Sequence, residues 1–107
     1  MVLAVDIGNT NVVLGGYEDD RLVFSARLAT ETKLEADQFA LQLRGIFDLY
    51  GVQAGNITDA ILSSVVPPLT DTFTRALRIA AGVETVVLTQ QLPTGVRVDI
   101  DRSEELG

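Results

Sequence analysis

Apolar and polar positions alternate along the chain in a way that predicts five strands and two helices. Val2 to Ile7 is apolar at nearly every position, with a small Ala4. That run fits a central strand covered on both faces. It closes in Asp6-Ile-Gly-Asn-Thr-Asn11, a turn-rich stretch. Val12, Val13 and Leu14 resume the strand, and Gly15-Gly16 and Glu18-Asp-Asp20 read as punctuation. From Leu22 to Leu28 a period of two puts Leu22, Phe24, Ala26 and Leu28 on one face. Val23, Ser25 and Arg27 fall on a half-covered opposite face. Short turns between the three strands predict an antiparallel meander.

The period then lengthens. Ala36, Phe39, Ala40, Leu43, Ile46, Phe47 and Tyr50 recur at three- and four-residue spacing, which predicts an amphipathic helix ended by Gly51. Thr30 or Thr32 is expected to contribute to its start, and Glu35 and Asp37 suit the positive end of its dipole. Gly45 inside the helix suggests close packing. Thr58 to Val66 reads as a strand. Pro67-Pro68 leads into a second helix with Leu69, Phe73, Ala76, Leu77 and Ala80 on one face and Gly82 as its stop. Val83 to Thr89 reads as a fifth strand. The order β-β-β-α-β-α-β implies an α/β fold: a mixed sheet whose later strands are parallel, with helices to cover it. Residues 1–89 form the predicted domain, and 90–107 an extended arm.

Composition narrows the chemistry. The chain has 107 residues, about one domain, with no Cys and no His. A disulfide framework, a thiolate nucleophile, a Ser–His–Asp triad and a His or Cys metal site are excluded within it. A formal charge of -7 opposes binding to nucleic acid. The first apolar run stops at Asp6, too short for a leader core, and no run approaches the roughly 18 apolar residues that cross a bilayer. The expectation is a soluble cytoplasmic protein that binds neither membrane nor nucleic acid.

Three segments could carry chemistry. Asp6-x-Gly8-Asn9-Thr10-Asn11 brings a carboxylate, a flexible turn and short hydrogen-bonding side chains to the end of a strand. Such a loop can cradle phosphate oxygens, with the carboxylate near a bridging magnesium ion. The same residues also build turns for conformational reasons alone. It is neither a Walker loop nor a dinucleotide fingerprint. Ser63-Ser-Val-Val-Pro-Pro68 closes a strand and opens a helix, where its hydroxyls could face a ligand or merely shape the turn. In the arm, Asp99, Asp101, Glu104 and Glu105 could form a cluster or a solvated surface. Lys33, the only lysine, lies in an acidic loop and makes a poor phosphate clamp.

Val2-Leu-Ala-Val-Asp-Ile-Gly-Asn-Thr-Asn-Val-Val-Leu-Gly15 resembles the opening of the type III pantothenate kinases. Ala36-Asp37, Ile61-Leu-Ser-Ser-Val-Val-Pro-Pro68, Thr94-Gly95 and Glu105-Leu-Gly107 agree in order and spacing. The resemblance implies a ribonuclease-H-like domain of the actin-like ATPase superfamily. It implies ATP-dependent phosphorylation of pantothenate, the first step of coenzyme A synthesis, by a homodimer using Mg2+ and K+. Asp6, Ile7, Gly8, Asn9, Thr10, Asn11, Val12 and Val13 would form the nucleotide phosphate loop, with Asp6 orienting the magnesium ion indirectly. Gly107 would edge the pantothenate site, as would Ile100, which stands where relatives often have tyrosine. Arg102-Ser103 replace a further Asn-Pro pair there.

The family's catalytic aspartate would fall two residues beyond Gly107, so no catalytic base is expected within 1–107, and a second domain would follow. The 107 residues alone are therefore expected to be inactive and prone to self-association. Two alternatives remain open: a non-catalytic ATPase-like regulatory or interaction module, and a related kinase for another small molecule.

Overall fold

The computed structural model describes residues 1–88. Its elements are β1 (Val2–Ile7), β2 (Asn11–Glu18), β3 (Arg21–Ala29), α1 (Ala36–Leu49), β4 (Asp59–Ser64), α2 (Pro67–Ala81) and β5 (Thr85–Leu88), with a 3-10 turn at Ala54–Asn56. The predicted order holds. The predicted arm, residues 90–107, lies outside the described residues, together with Thr94, Gly95, Ile100, Gly107 and the acidic cluster.

The five strands form one sheet in the order β3-β2-β1-β4-β5. β1 and β2 are antiparallel, as are β2 and β3, while β1 and β4 run parallel, as do β4 and β5. The two crossovers, β3 to β4 and β4 to β5, run the same way across the sheet. Right-handed crossovers then place both helices on one face. Leu3, Val5 and Ile7 of β1, Val12 and Leu14 of β2, and Ala60 and Leu62 of β4 join the buried faces of both helices in a single core. Phe39 of α1 and Phe73 of α2 meet with ring centroids 5.0 Å apart.

This arrangement corrects the expectation that β1 is covered on both faces. Among the described residues its Leu3, Val5 and Ile7 are buried, whereas Val2, Ala4 and Asp6 are half-buried. On the same helix-free face, Ser25 and Arg27 of β3 are exposed, short of the half cover expected.

Gly15-Gly16 do not punctuate. They lie inside β2, where neighbouring side chains use the space their missing side chains leave. A Cβ at Gly16 would overlap the Phe24 ring, and one at Gly15 would come within 3.2 Å of the Tyr17 ring and 3.3 Å of Leu22. The second predicted break, Glu18-Asp-Asp20, does hold the turn, at Asp19-Asp20, with Asp19 at φ 56°.

A register shift between Gly16 and Tyr17 pairs Tyr17 with Leu22 while Gly16 pairs with Phe24. Val23 is the extra residue of a bulge. Leu22 therefore leaves the face of Phe24 and joins Gly15 and Tyr17 on the other one, contrary to the simple alternation.

α1 ends as predicted. The Gly51 N–H donates to the Asp48 carbonyl at 3.3 Å and the Val52 N–H to Phe47 at 2.7 Å, with Gly51 at φ 70°. This is a Schellman closure, which favours glycine at that position. Its start differs from expectation. Glu35 is the N-cap residue, and its N–H donates to the Gln38 side chain at 2.9 Å. Neither Thr30 nor Thr32 caps it. Gly45 has no atom within 4 Å of the place its Cβ would take, so it does not mark close packing.

Candidate functional site

The chain leaves β1 toward β2 and β3, then crosses back to β4 on the other side of β1. That reversal makes the gap beyond the carboxyl ends of β1 and β4 the switch point where open α/β sheets bind ligands. Two of the three candidate segments meet there. Asp6 stands opposite Ser63, and Ile7 opposite Ser64. The Val65 N–H donates to the Ile7 carbonyl at 3.0 Å, tying the two strand ends together. Asp6 also faces Val13 across the antiparallel side. Asp6, Val13 and Ser63 thus share the helix-free face, all half-buried, with Arg27 of β3 in the same row beside Val13.

The predicted loop residues separate into two kinds. Ile7 and Val12 are fully buried, so their side chains anchor the hairpin in the core and only their backbone could meet a ligand. Asn9, Thr10 and Asn11 are exposed at the tip. The Gly8 N–H donates to the Asn11 carbonyl at 2.9 Å. A Cβ at Gly8 would sit 3.2 Å from that same carbonyl oxygen, which explains glycine here as room for a close backbone approach.

The rest of the loop is held from β3. The Thr30 hydroxyl donates to the Gly8 carbonyl at 2.8 Å, and the Thr30 N–H donates to the Thr10 carbonyl at 2.9 Å. Among the described residues, no backbone carbonyl accepts from the N–H groups of Asn9 and Thr10. The tip therefore offers neutral donors at the switch point. Thr30 is the site residue missed in the sequence. Its signal was there: hairpin pairing places Ala29 opposite Asn11, and so Thr30 beside Thr10.

The Ser63–Pro68 turn is built differently. The Ser64 hydroxyl accepts the Val66 N–H at 3.0 Å and donates to the Val66 carbonyl at 3.1 Å. Pro67 and Pro68 open α2 without N–H groups, and the Leu69 N–H is taken by the Val66 carbonyl at 2.9 Å. The start of α2 has thus lost most of the donors that make a helix N-terminus an anion site.

Arg78, near the end of α2, meets Glu84 through two hydrogen bonds of 3.1 Å. These bonds and the opposite charges hold the Glu84 carboxyl below its usual range and raise the Arg78 guanidinium. Among the described residues, no group of three or more His, Cys, Asp or Glu side chains could hold a metal ion. No helix among them is long and apolar enough to cross a membrane.

This sheet order, with both helices on one face, is that of the ribonuclease-H-like fold. Solved structures share it. The ROK hexokinase of Thermus thermophilus superposes at TM-score 0.56, with 20% identity over 81% of this chain and 32% of that one. A proposed N-acetylglucosamine kinase of Porphyromonas gingivalis superposes at 0.61, with 14% identity over 81% of this chain and 34% of that one.

The sequence specifies the family. The profile of the type III pantothenate kinases matches residues 2–107, and the chain belongs to that family. It is 40% identical over its whole length to a type III pantothenate kinase of Roseiflexus sp. and 35% identical to one of Finegoldia magna. It spans 42% and 41% of their lengths, respectively.

Proposed function

We propose that this chain supplies the phosphate-binding half of a kinase that transfers the γ-phosphoryl group of ATP to pantothenate, giving the phosphorylated acid that enters coenzyme A synthesis. The observation that carries this reading is the hairpin. Exposed amides without backbone acceptors follow the strand that carries Asp6, at the switch point of a ribonuclease-H-like sheet, in a chain that belongs to the type III pantothenate kinases.

The amides of the 9–11 tip would bind phosphate oxygens, holding the phosphate chain in line with the acceptor hydroxyl. They would also stabilise charge on the transferring group, which with positioning is most of what phosphoryl transfer asks of a protein. Asp6 fits a magnesium ion, which takes few carboxylates and fills its shell with phosphate oxygens and water. That ion, when bound, would neutralise charge shared between the phosphates. The primary hydroxyl of pantothenate would attack the γ-phosphorus as the bond from that phosphorus to the β–γ bridging oxygen breaks and ADP leaves, and its proton would pass to the aspartate that the family resemblance places beyond Gly107. Ile100 and Gly107 remain proposed neighbours of the substrate. A potassium ion, a homodimer and a cytoplasmic location complete the proposal, each resting on the family alone.

The test is ADP release by the full-length protein with and without pantothenate. Turnover should require pantothenate, and Asp6→Asn should lower kcat by about 100-fold or more, the scale set by losing a transition-state electrostatic contact. Its melting temperature should stay within about 2 °C of the parent. ATP turnover indifferent to pantothenate would overturn the substrate, and an undiminished Asp6→Asn enzyme would overturn the site.

A further inference from the structure

A two-residue hairpin ordinarily closes by hydrogen bonding its first and fourth residues to each other. Here only half of that closure is made. The Gly8 N–H reaches the Asn11 carbonyl, but no bond from the Asn11 N–H to the Gly8 carbonyl completes the pair among the described residues. The Gly8 carbonyl instead accepts the Thr30 hydroxyl at 2.8 Å, across 22 residues of chain. The Thr10 carbonyl is likewise turned toward β3, where it accepts the Thr30 N–H at 2.9 Å.

Peptide planarity carries the consequence. In a trans peptide the carbonyl and the following N–H point in opposite directions. Fixing the Gly8 carbonyl toward Thr30 aims the Asn9 N–H away from it. Fixing the Thr10 carbonyl does the same for the Asn11 N–H. From the structure we infer that Thr30 is a positioning residue. Its hydroxyl takes the carbonyl that would otherwise close the hairpin, and so keeps the Asn11 amide uncommitted and the Asn9 amide aimed outward to receive a nucleotide phosphate. The inference rests on the ATP-binding part of the reading above. It does not depend on pantothenate as the acceptor.

The experiment uses the full-length protein, with Thr30→Val, which keeps the shape and removes the donor, and Thr30→Ser, which keeps the donor. Binding of a non-hydrolysable ATP analogue with magnesium is measured alongside steady-state kinetics. Thr30→Val should weaken analogue binding by about tenfold and lower kcat by about ten- to 100-fold, the range for losing the amide-to-phosphate hydrogen bond that the Thr30 hydroxyl keeps available. The KM for pantothenate should move by less than about twofold, because uniform loosening of the fold is not what this change does. Thr30→Ser should recover both quantities to within about threefold, since it restores the donor.

Equal damage from serine and valine would overturn the positioning role, as would a valine variant that binds the analogue like the parent. A parent that binds the analogue but ignores pantothenate would remove the substrate reading while the analogue ratio still decides Thr30. A parent that binds no nucleotide would overturn both.

Discussion

Two turns lie side by side at the carboxyl ends of β1 and β4, and they spend their polar groups in opposite ways. In the hairpin after β1, carbonyls are drawn toward Thr30 and N–H groups are left over at an exposed tip. In the turn after β4, the Ser64 hydroxyl and the Val66 backbone satisfy each other, and two prolines remove N–H groups from the first turn of α2. The first turn has donors to give a ligand, and the second is nearly closed on itself. In the sequence both are short turn segments that carry hydrogen-bonding residues after an apolar strand. What separates them is where their carbonyls point, a property of the assembled sheet.

The comparison breaks most readily at Gly8. A methyl group there would meet the Asn11 carbonyl oxygen at 3.2 Å, inside the bond that shapes the hairpin. Gly8→Ala should lower kcat/KM for ATP by roughly tenfold or more, because small displacements of positioning groups cost that much. A Gly8→Ala enzyme with parental ATP kinetics would show that the hairpin shape is not what the nucleotide reads.

Ser64→Ala probes the other turn, with a smaller effect of a different kind. It removes the hydroxyl that both accepts from and donates to Val66. Stability should fall by about 1 kcal/mol, the usual worth of such a bond, read as a lower denaturant midpoint. Parameters for ATP should stay within about threefold, since no donor aimed at phosphate is lost. If Ser64→Ala instead damaged ATP kinetics as much as Gly8→Ala does, the two turns would share the nucleotide and the contrast between them would fail.

The order of elements was legible because it rests on local pattern. The three- and four-residue spacing from Ala36 to Tyr50 names a helix, and Gly51 its end, without reference to anything distant. The details that shape the site depended on partners far along the chain. Gly15-Gly16 looked like punctuation because nothing local shows that Phe24, Tyr17 and Leu22 use the space above them. A one-residue bulge at Val23 turned Leu22 onto the other face, which a strict period of two cannot anticipate. Local pattern offers Thr30 or Thr32 for the start of α1, yet the Thr30 hydroxyl serves a carbonyl 22 residues earlier. The loop's residue types suit phosphate binding and a plain turn alike. Which of its groups are available became clear only when the third strand was in place.

The smallest effect is expected at the far end of α2, which serves as a control on the comparison. Arg78 and Glu84 are exposed there, and their hydrogen bonds and charges depress the Glu84 carboxyl. A depressed carboxylate contributes stability above its unfolded pKa, and loses that contribution as pH falls through the lower folded value. Solvent and salt screen so exposed a pair, so Glu84→Gln should give a small fall in melting temperature near neutral pH. That difference should shrink below the usual glutamate range and in high salt. ATP kinetics should not change, because the pair lies at the opposite end of α2 from the Pro67-Pro68 turn. If Glu84→Gln altered ATP kinetics while leaving melting untouched, nucleotide binding would reach the whole of α2. The contrast between the two turns would then no longer be a local one.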